Sequence, residues 1–401
     1  MKVWIFNHYA ITPDQTGGTR HYSLAKQLQS RGHEVTIIAS NYDHFTAKHR
    51  HDNSKITSED VDGIRFIWTP TRAYSGNGKS RALNMLDYAK QIKNLPRFLN
   101  GEKPDVIYGS SPHLFTPYQA QKLAWRLQVP FVMEVRDVWP QTLVDLGNFS
   151  PSSMFIRVLA WMERKLYRSA DHIVSLLPDA PQHCINLGAK QENTSWIPNG
   201  IDLRFLPESA EPPHNDIFTV TYAGSHGLAN GLDNILEAAQ LLKESPIRFR
   251  LIGDGPDKRT LIQKAESLAI SNIEFCDPVP KSEIYNELQK SDAFLMLLRA
   301  SDVFRWGVSP NKLFDYMAMA RPIIFAVNSS NSPVEAAGCG LRIEPDNPQA
   351  LADACMLLAS MSEEDRNRMG AKGRWYVEEN HTFEILGAKL ESVLFGTLNR
   401  S

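Results

Sequence analysis

Short apolar runs alternate with amphipathic stretches from one end of the chain to the other. In the first half the runs fall at 3–7, 35–39, 64–68, 106–109, 131–135 and 173–176. Nearly unbroken apolar runs of this length suit strands buried on both faces. Between the first two runs, Tyr22, Leu24, Ala25 and Leu28 line one side of a helix over 20–31. Gly32 follows, where a helix can end in a left-handed residue. Strand, helix and strand in this order predict a βαβ unit and a parallel sheet.

The series breaks at Ile197-Pro198-Asn199-Gly200-Ile201-Asp202. Pro207, Pro212 and Pro213 follow and predict an extended linker. A second series runs through 218–223, 249–252, 273–275, 294–298, 323–326 and 341–343. The chain of 401 residues is too long for one ordinary core. The expectation is an α/β protein of two doubly wound, Rossmann-like domains, over 1–203 and 204–380. They would face each other across a cleft at their strand C-termini, with a last helix in 381–401. Residues 43–62 and 71–81 read as mobile loops. The stretch 81–99 carries Lys90, Lys93 and Arg97 on an amphipathic helix, suited either to ordinary packing or to a membrane surface.

Composition is that of a globular protein, 42% hydrophobic and 22% charged. No apolar run is long enough to span a bilayer. Cys184, Cys276, Cys339 and Cys355 stand singly, which with the lack of a signal-like N-terminus predicts a cytoplasmic protein. Charge is uneven: residues 1–200 hold 23 basic and 17 acidic residues, and 201–401 hold 20 and 28. A basic first half suits an anionic membrane or acceptor, or simple attraction between the halves.

The most specific chemistry lies in Ser309-Pro310-Asn311-Lys312-Leu313-Phe314-Asp315. A Lys at a helix start suits a phosphate, and a carboxylate one turn later suits a ribose. Gly17, Gly18 and Arg20 open an earlier helix without the spacing of a dinucleotide fingerprint. His113 follows the strand at 106–109, and Arg136 and Asp137 follow the strand at 131–135, either as ligand contacts or as a mutual salt bridge. Gly224, Ser225, His226, Gly253 and Gly255 end two strands of the second series and can offer backbone donors. Arg299 and Arg305 stand near Lys312 as further cations. Asp60-Val61-Asp62 resembles a metal-binding pair only superficially, since Gly63 makes it a turn. No metal site and no cofactor are expected.

Taken in order, the Gly17-Gly18-Thr19-Arg20 loop, the Glu134-Val135-Arg136-Asp137-Val138-Trp139-Pro140 segment, the Asn199-Gly200 turn, Gly253-Asp254-Gly255-Pro256 and the Lys312 motif resemble the family-four retaining glycosyltransferases. The nearest likeness is to O-antigen and capsule aminodeoxysugar transferases such as N-acetylfucosaminyltransferases. The resemblance implies the GT-B fold, a nucleotide sugar held mainly by the second domain, an acceptor on the first, retention of configuration and no metal. It implies that the last helix crosses back to the first domain. It assigns His113 to the donor sugar. The Arg and Lys that bind the diphosphate after the first strand of the second domain in many members are absent from 224–231, which leaves the diphosphate to Lys312 with help from Arg20, Arg299 or Arg305. Asp315 matches the second acid of the family's paired-acid motif, but Gly307 stands where the first belongs. The implied donor is a UDP sugar and the implied acceptor a polyprenyl-diphosphate-linked saccharide at the inner membrane face. An epimerase of the same fold and a non-catalytic nucleotide-sugar-binding protein are the alternatives.

Overall fold

The computed structural model describes residues 1–44, 46–76, 78–111, 113–147, 149–207 and 217–400. Pro112, Pro212 and Pro213 lie outside the described residues. In chain order the strands are β1 Lys2–Phe6, β2 Glu34–Ser40, β3 Tyr42–Asp43, β4 Lys48–His49, β5 Thr57–Val61, β6 Ile64–Thr69, β7 Val106–Ser110, β8 Phe131–Val135, β9 His172–Ser175 and β10 Thr194–Trp196. The second half adds β11 Phe218–Ala223, β12 Ile247–Ile252, β13 Ile273–Cys276, β14 Ala293–Leu297, β15 Ile323–Ala326 and β16 Gly340–Arg342.

The first sheet runs β10-β9-β8-β7-β1-β2-β6-β5 and the second runs β13-β12-β11-β14-β15-β16. Every neighbour pair is parallel except β5 with β6. Both sheets reverse direction of growth beside their first strand, at β1/β7 and at β11/β14. Ligands of doubly wound sheets bind at such switch points. The expectation of loop over 43–62 needs correction, because β5 pairs antiparallel with β6 from Thr57↔Trp68 to Val61↔Ile64. β5 is a polar edge strand, TSEDV, so it shows no apolar run; its partner and the Asp62-Gly63 turn make it a strand.

The first sheet is covered on one face by the helices Lys79–Phe98, Phe115–Leu127 and Met154–Ser169, through Tyr88, Ile92, Leu123, Leu159 and Leu166. The other face carries Arg20–Ser30 and the C-terminal helix Phe383–Leu398. Phe383, Leu386, Leu390 and Leu394 join the same core as Val3, Ile5 and Leu24. Burying such side chains is worth roughly 1.5–3 kcal/mol each, enough to anchor this helix on the first domain. Thr382 starts it by accepting from the Ile385 amide at 3.3 Å. The two stretches that pass between the domains pair with each other: Ile201 N–H donates to His381 O and Phe383 N–H to Ile201 O, both at 2.9 Å. Among the described residues no helix is long and apolar enough to cross a membrane.

Candidate active site

The helix Asn311–Ala318 begins after Pro310, which points its free N-terminal amides towards the cleft between the domains. Lys312, on its first turn, extends to the end of β11. Its Nζ donates to Tyr222 Oη at 2.7 Å and to Asn230 Oδ1 at 3.2 Å, and lies 4.1 Å from the Tyr222 ring centre. A Cβ at Gly224 would stand 2.8 Å from that nitrogen and displace it, and φ there is +152°, a backbone conformation that calls for glycine. Neither partner of Lys312 carries a charge. Burial therefore lowers its pKa to about 7.

One turn on, Asp315 Oδ1 accepts from Lys281 Nζ at 2.5 Å and from Tyr285 Oη at 2.7 Å. Its Oδ2 has no hydrogen-bond partner among the described residues, which leaves it available to a hydroxyl. Gly253 and Gly255 bring the β12 loop against the β11 loop, since a Cβ on Gly253 would stand 2.0 Å from Gly224 O. Ser225 O accepts from Tyr222 Oη at 2.8 Å, so this serine helps hold the Lys312 partner. His226 is fully buried, and neither ring nitrogen has a hydrogen-bond partner among the described residues. Burial, with Lys258 and Lys312 nearby, pushes its pKa to about 4.

From the first domain, Gly18 presses on the helix start: its Cβ would meet Asn311 Nδ2 at 2.1 Å. Gly17 beside it has φ +131°. Asn199 ties the interdomain turn to Ser309, donating from its amide to Oγ at 2.8 Å and from Nδ2 to the carbonyl at 2.6 Å. The resulting cleft encloses about 270 Å³ and is walled by Arg136, Asp137, Asn199, Gly307, Ser309 and Asn311, among others. Arg136 is held by its backbone amide, which donates to Ser111 Oγ at 2.9 Å. Its guanidinium makes no ion pair or hydrogen bond among the described residues, so the mutual salt bridge with Asp137 considered above does not form. Gly307 has φ +91° and packs against Pro178, with room for no acidic side chain.

Three cations expected at the diphosphate are committed elsewhere. Arg20 is buried; it donates from Nε to Glu134 at 2.7 Å and from its other nitrogens to the Pro198 and Ile197 carbonyls. Arg299 pairs with Asp233 at 2.6 Å and Asp346 at 3.3 Å. Arg305 reaches across the cleft to Asp145 at 3.1 Å. Each of the expected helpers of Lys312, Arg20, Arg299 or Arg305, is thus already paired with an acid of the protein. His113 is likewise enclosed: it is 0% exposed and its Nε2 lies 2.8 Å from His8 Nδ1. Burial with Arg81 nearby pushes its pKa to about 3, so it is a neutral imidazole. Tyr222, Asn230, Lys281 and Tyr285 escaped the sequence reading. The place of Tyr222 two residues before Gly224, at the end of its strand, was the available signal for the first, and nothing local marks the others.

Residues 16–200 match the glycosyl transferase 4-like domain and residues 217–360 match glycosyl transferases group 1. The chain is a glycosyltransferase of the GT-B fold. The transferase is 25% identical over 307 residues to the probable glycosyltransferase WbjE of Pseudomonas aeruginosa, covering 74% of this chain and 75% of that one. It is 23% identical over 381 residues to the putative colanic acid biosynthesis glycosyl transferase WcaI of Escherichia coli (strain K12), covering 88% and 90%. Its fold matches Anabaena Alr3699/HepE in complex with UDP and glucose, with a TM-score of 0.71 at 13% identity over 98% and 99% of the two chains.

Proposed function

We propose that the transferase moves a sugar from a UDP-linked donor, with retention of configuration, to a polyprenyl-diphosphate-linked saccharide in surface polysaccharide assembly. One observation carries this reading: Lys312 is a half-buried, desolvated cation whose protein partners are both neutral. An uncompensated buried charge is costly, and an anion beside it removes the cost. The diphosphate of a nucleotide sugar is such an anion. As the bond between the sugar and the diphosphate breaks, negative charge grows on the leaving phosphate. Lys312 and the free amides of the helix start stabilise it there.

Arg136 faces the same cleft from the first domain and adds a second positive charge when the domains close on the donor. Asp315 Oδ2 accepts from a ribose hydroxyl while Lys281 and Tyr285 hold the carboxylate in place. The leaving phosphate takes the proton of the attacking acceptor hydroxyl, so the proton passes from acceptor to diphosphate on one face of the sugar. The similarity to HepE bound to UDP supports the nucleotide, and WcaI, named for colanic acid biosynthesis, supports the pathway class.

The test is a thermal-shift screen with UDP- and GDP-sugars. It is followed by measurement of nucleoside diphosphate released on adding a lipid-linked saccharide. A UDP sugar should raise the melting temperature and be consumed only with acceptor present. Stabilisation by GDP sugars alone would replace the nucleotide assignment. No response to either class would sink the reading.

A further inference from the structure

The helix Met154–Ser169 carries two apolar stripes where a helix on a sheet needs one. Ile156, Leu159, Met162 and Leu166 face the core. Met154, Val158 and Trp161, at i, i+4 and i+7, face out; Met154 is 72% and Trp161 55% exposed. The neighbouring helix Phe115–Leu127 repeats the pattern with Tyr118, Lys122 and Trp125 at the same spacing, and Trp125 is 80% exposed. The two outward stripes meet, with the Tyr118 and Trp161 rings 6.2 Å apart, and between the helices runs a groove of about 420 Å³.

The charge on this face has one sign. Lys122, Arg126, Arg157, Arg164 and Lys165 are exposed, and none forms a salt bridge among the described residues. The only acid in either helix, Glu163, is buried and bonded to His183 at 2.9 Å. Lys122 lies 4.4 Å over the Tyr118 ring, and Lys165 lies 5.3 Å from the Trp161 ring. Exposed Trp and Tyr among Lys and Arg suit the boundary between lipid headgroups and acyl chains. There the rings sit at the apolar edge and the cations meet anionic headgroups.

We propose that the outer face of the helices Phe115–Leu127 and Met154–Ser169 docks on an anionic lipid bilayer. The helix Lys79–Phe98, the sequence candidate for this role, turns Met85, Tyr88, Ile92 and Leu95 into the core. Its outer face is mainly polar, although Leu83 and Leu86 are exposed. The inference extends the lipid-linked acceptor proposed above, but its test reads no sugar transfer and so stands or fails separately.

The test is sedimentation of the full chain with vesicles of phosphatidylcholine, with and without phosphatidylglycerol. Binding should need phosphatidylglycerol and weaken as salt rises, because exposed charges are screened beyond about 10 Å at 0.1 M. The double variant Trp125→Ser/Trp161→Ser should lose about tenfold or more in vesicle affinity, and so should Lys122→Gln/Lys165→Gln. Lys90→Gln/Lys93→Gln/Arg97→Gln should bind like wild type. A cooperative thermal unfolding transition at the wild-type temperature in every variant establishes that each is folded. Absence of wild-type binding at low salt, or equal binding by the double variants, overturns the proposal. So does a change in sedimentation mass of the Trp variant with vesicle binding intact, which would make the face a protein contact.

Discussion

Arg20 and Lys312 look alike in the chain, each a cation at the start of a helix, and Gly17-Gly18 and Gly224 stand beside them as glycines in the fold. The tertiary structure gives them opposite fates. Arg20 meets a fully buried carboxylate, Glu134, which also accepts from His21 at 2.8 Å and Tyr108 at 2.8 Å. Against the pull of burial, the Arg20 charge and the His21 hydrogen bond hold the Glu134 carboxyl well below the usual range. Among the described residues Lys312 meets only a phenol and an amide oxygen. A closed ion pair holds the fold together; an open cation waits for a ligand. Proximity to a glycine loop does not distinguish the two, whereas the counter-charge does.

The largest expected effect comes from breaking the closed pair. Glu134→Gln leaves Arg20 buried without its counter-ion and should cost roughly 3–5 kcal/mol in urea unfolding. The folded variant should still bind UDP normally, because the donor side is untouched. A loss below about 1 kcal/mol would mean that the pair is not closed as described.

Next comes the open cation. Lys312→Ala should weaken binding of a UDP sugar by roughly 1.5–3 kcal/mol, about tenfold to over a hundredfold. Its unfolding free energy should match or exceed that of wild type, since a desolvated charge has been removed. Calorimetry that returns wild-type affinity from folded Lys312→Ala would remove Lys312 from the diphosphate site.

The smallest effect is in pH. In the free protein Lys312 titrates at about 7. A bound diphosphate favours the charged amine and raises that pKa, so above pH 7 binding must take up a proton. Affinity should therefore be flat below pH 7 and fall as pH rises, by at most about tenfold per unit. The diphosphate diester of a nucleotide sugar does not titrate there, so it contributes no slope. Whatever binding survives in Lys312→Ala should be flat over the same range. A wild-type affinity that stays level to pH 9 would place the free lysine near its ordinary value.

The two parallel sheets were legible because strands buried on both faces are apolar along their whole length, as in Phe131–Val135 and Phe294–Leu297. The helix start at Asn311 and its lysine were legible because Pro310 and the residues around it set a local geometry. β5 was not legible, since an edge strand with one solvated face needs no apolar run. Nor could the partners of Asp315 be read: Lys281 lies 34 residues away and Tyr285 lies 30 residues away in the chain, and no period links them. The second apolar stripe of Met154–Ser169 was present in the sequence, but only the packed core shows which stripe is left over.

By itself the sequence determined the alternation of strand and helix, the break near Asn199 and the chemistry available at Ser309–Asp315. These depend on periodicity and on backbone preferences of neighbouring residues, which act over a few positions. Only the tertiary structure decided which charges are neutralised. Arg20 finds Glu134 at a separation of 114 residues, Arg305 finds Asp145 at 160, and Lys312 finds, among the described residues, only neutral oxygens at 82 and 90. Charge compensation depends on distance in space and on exclusion of water, and neither is a property of the chain until it has folded.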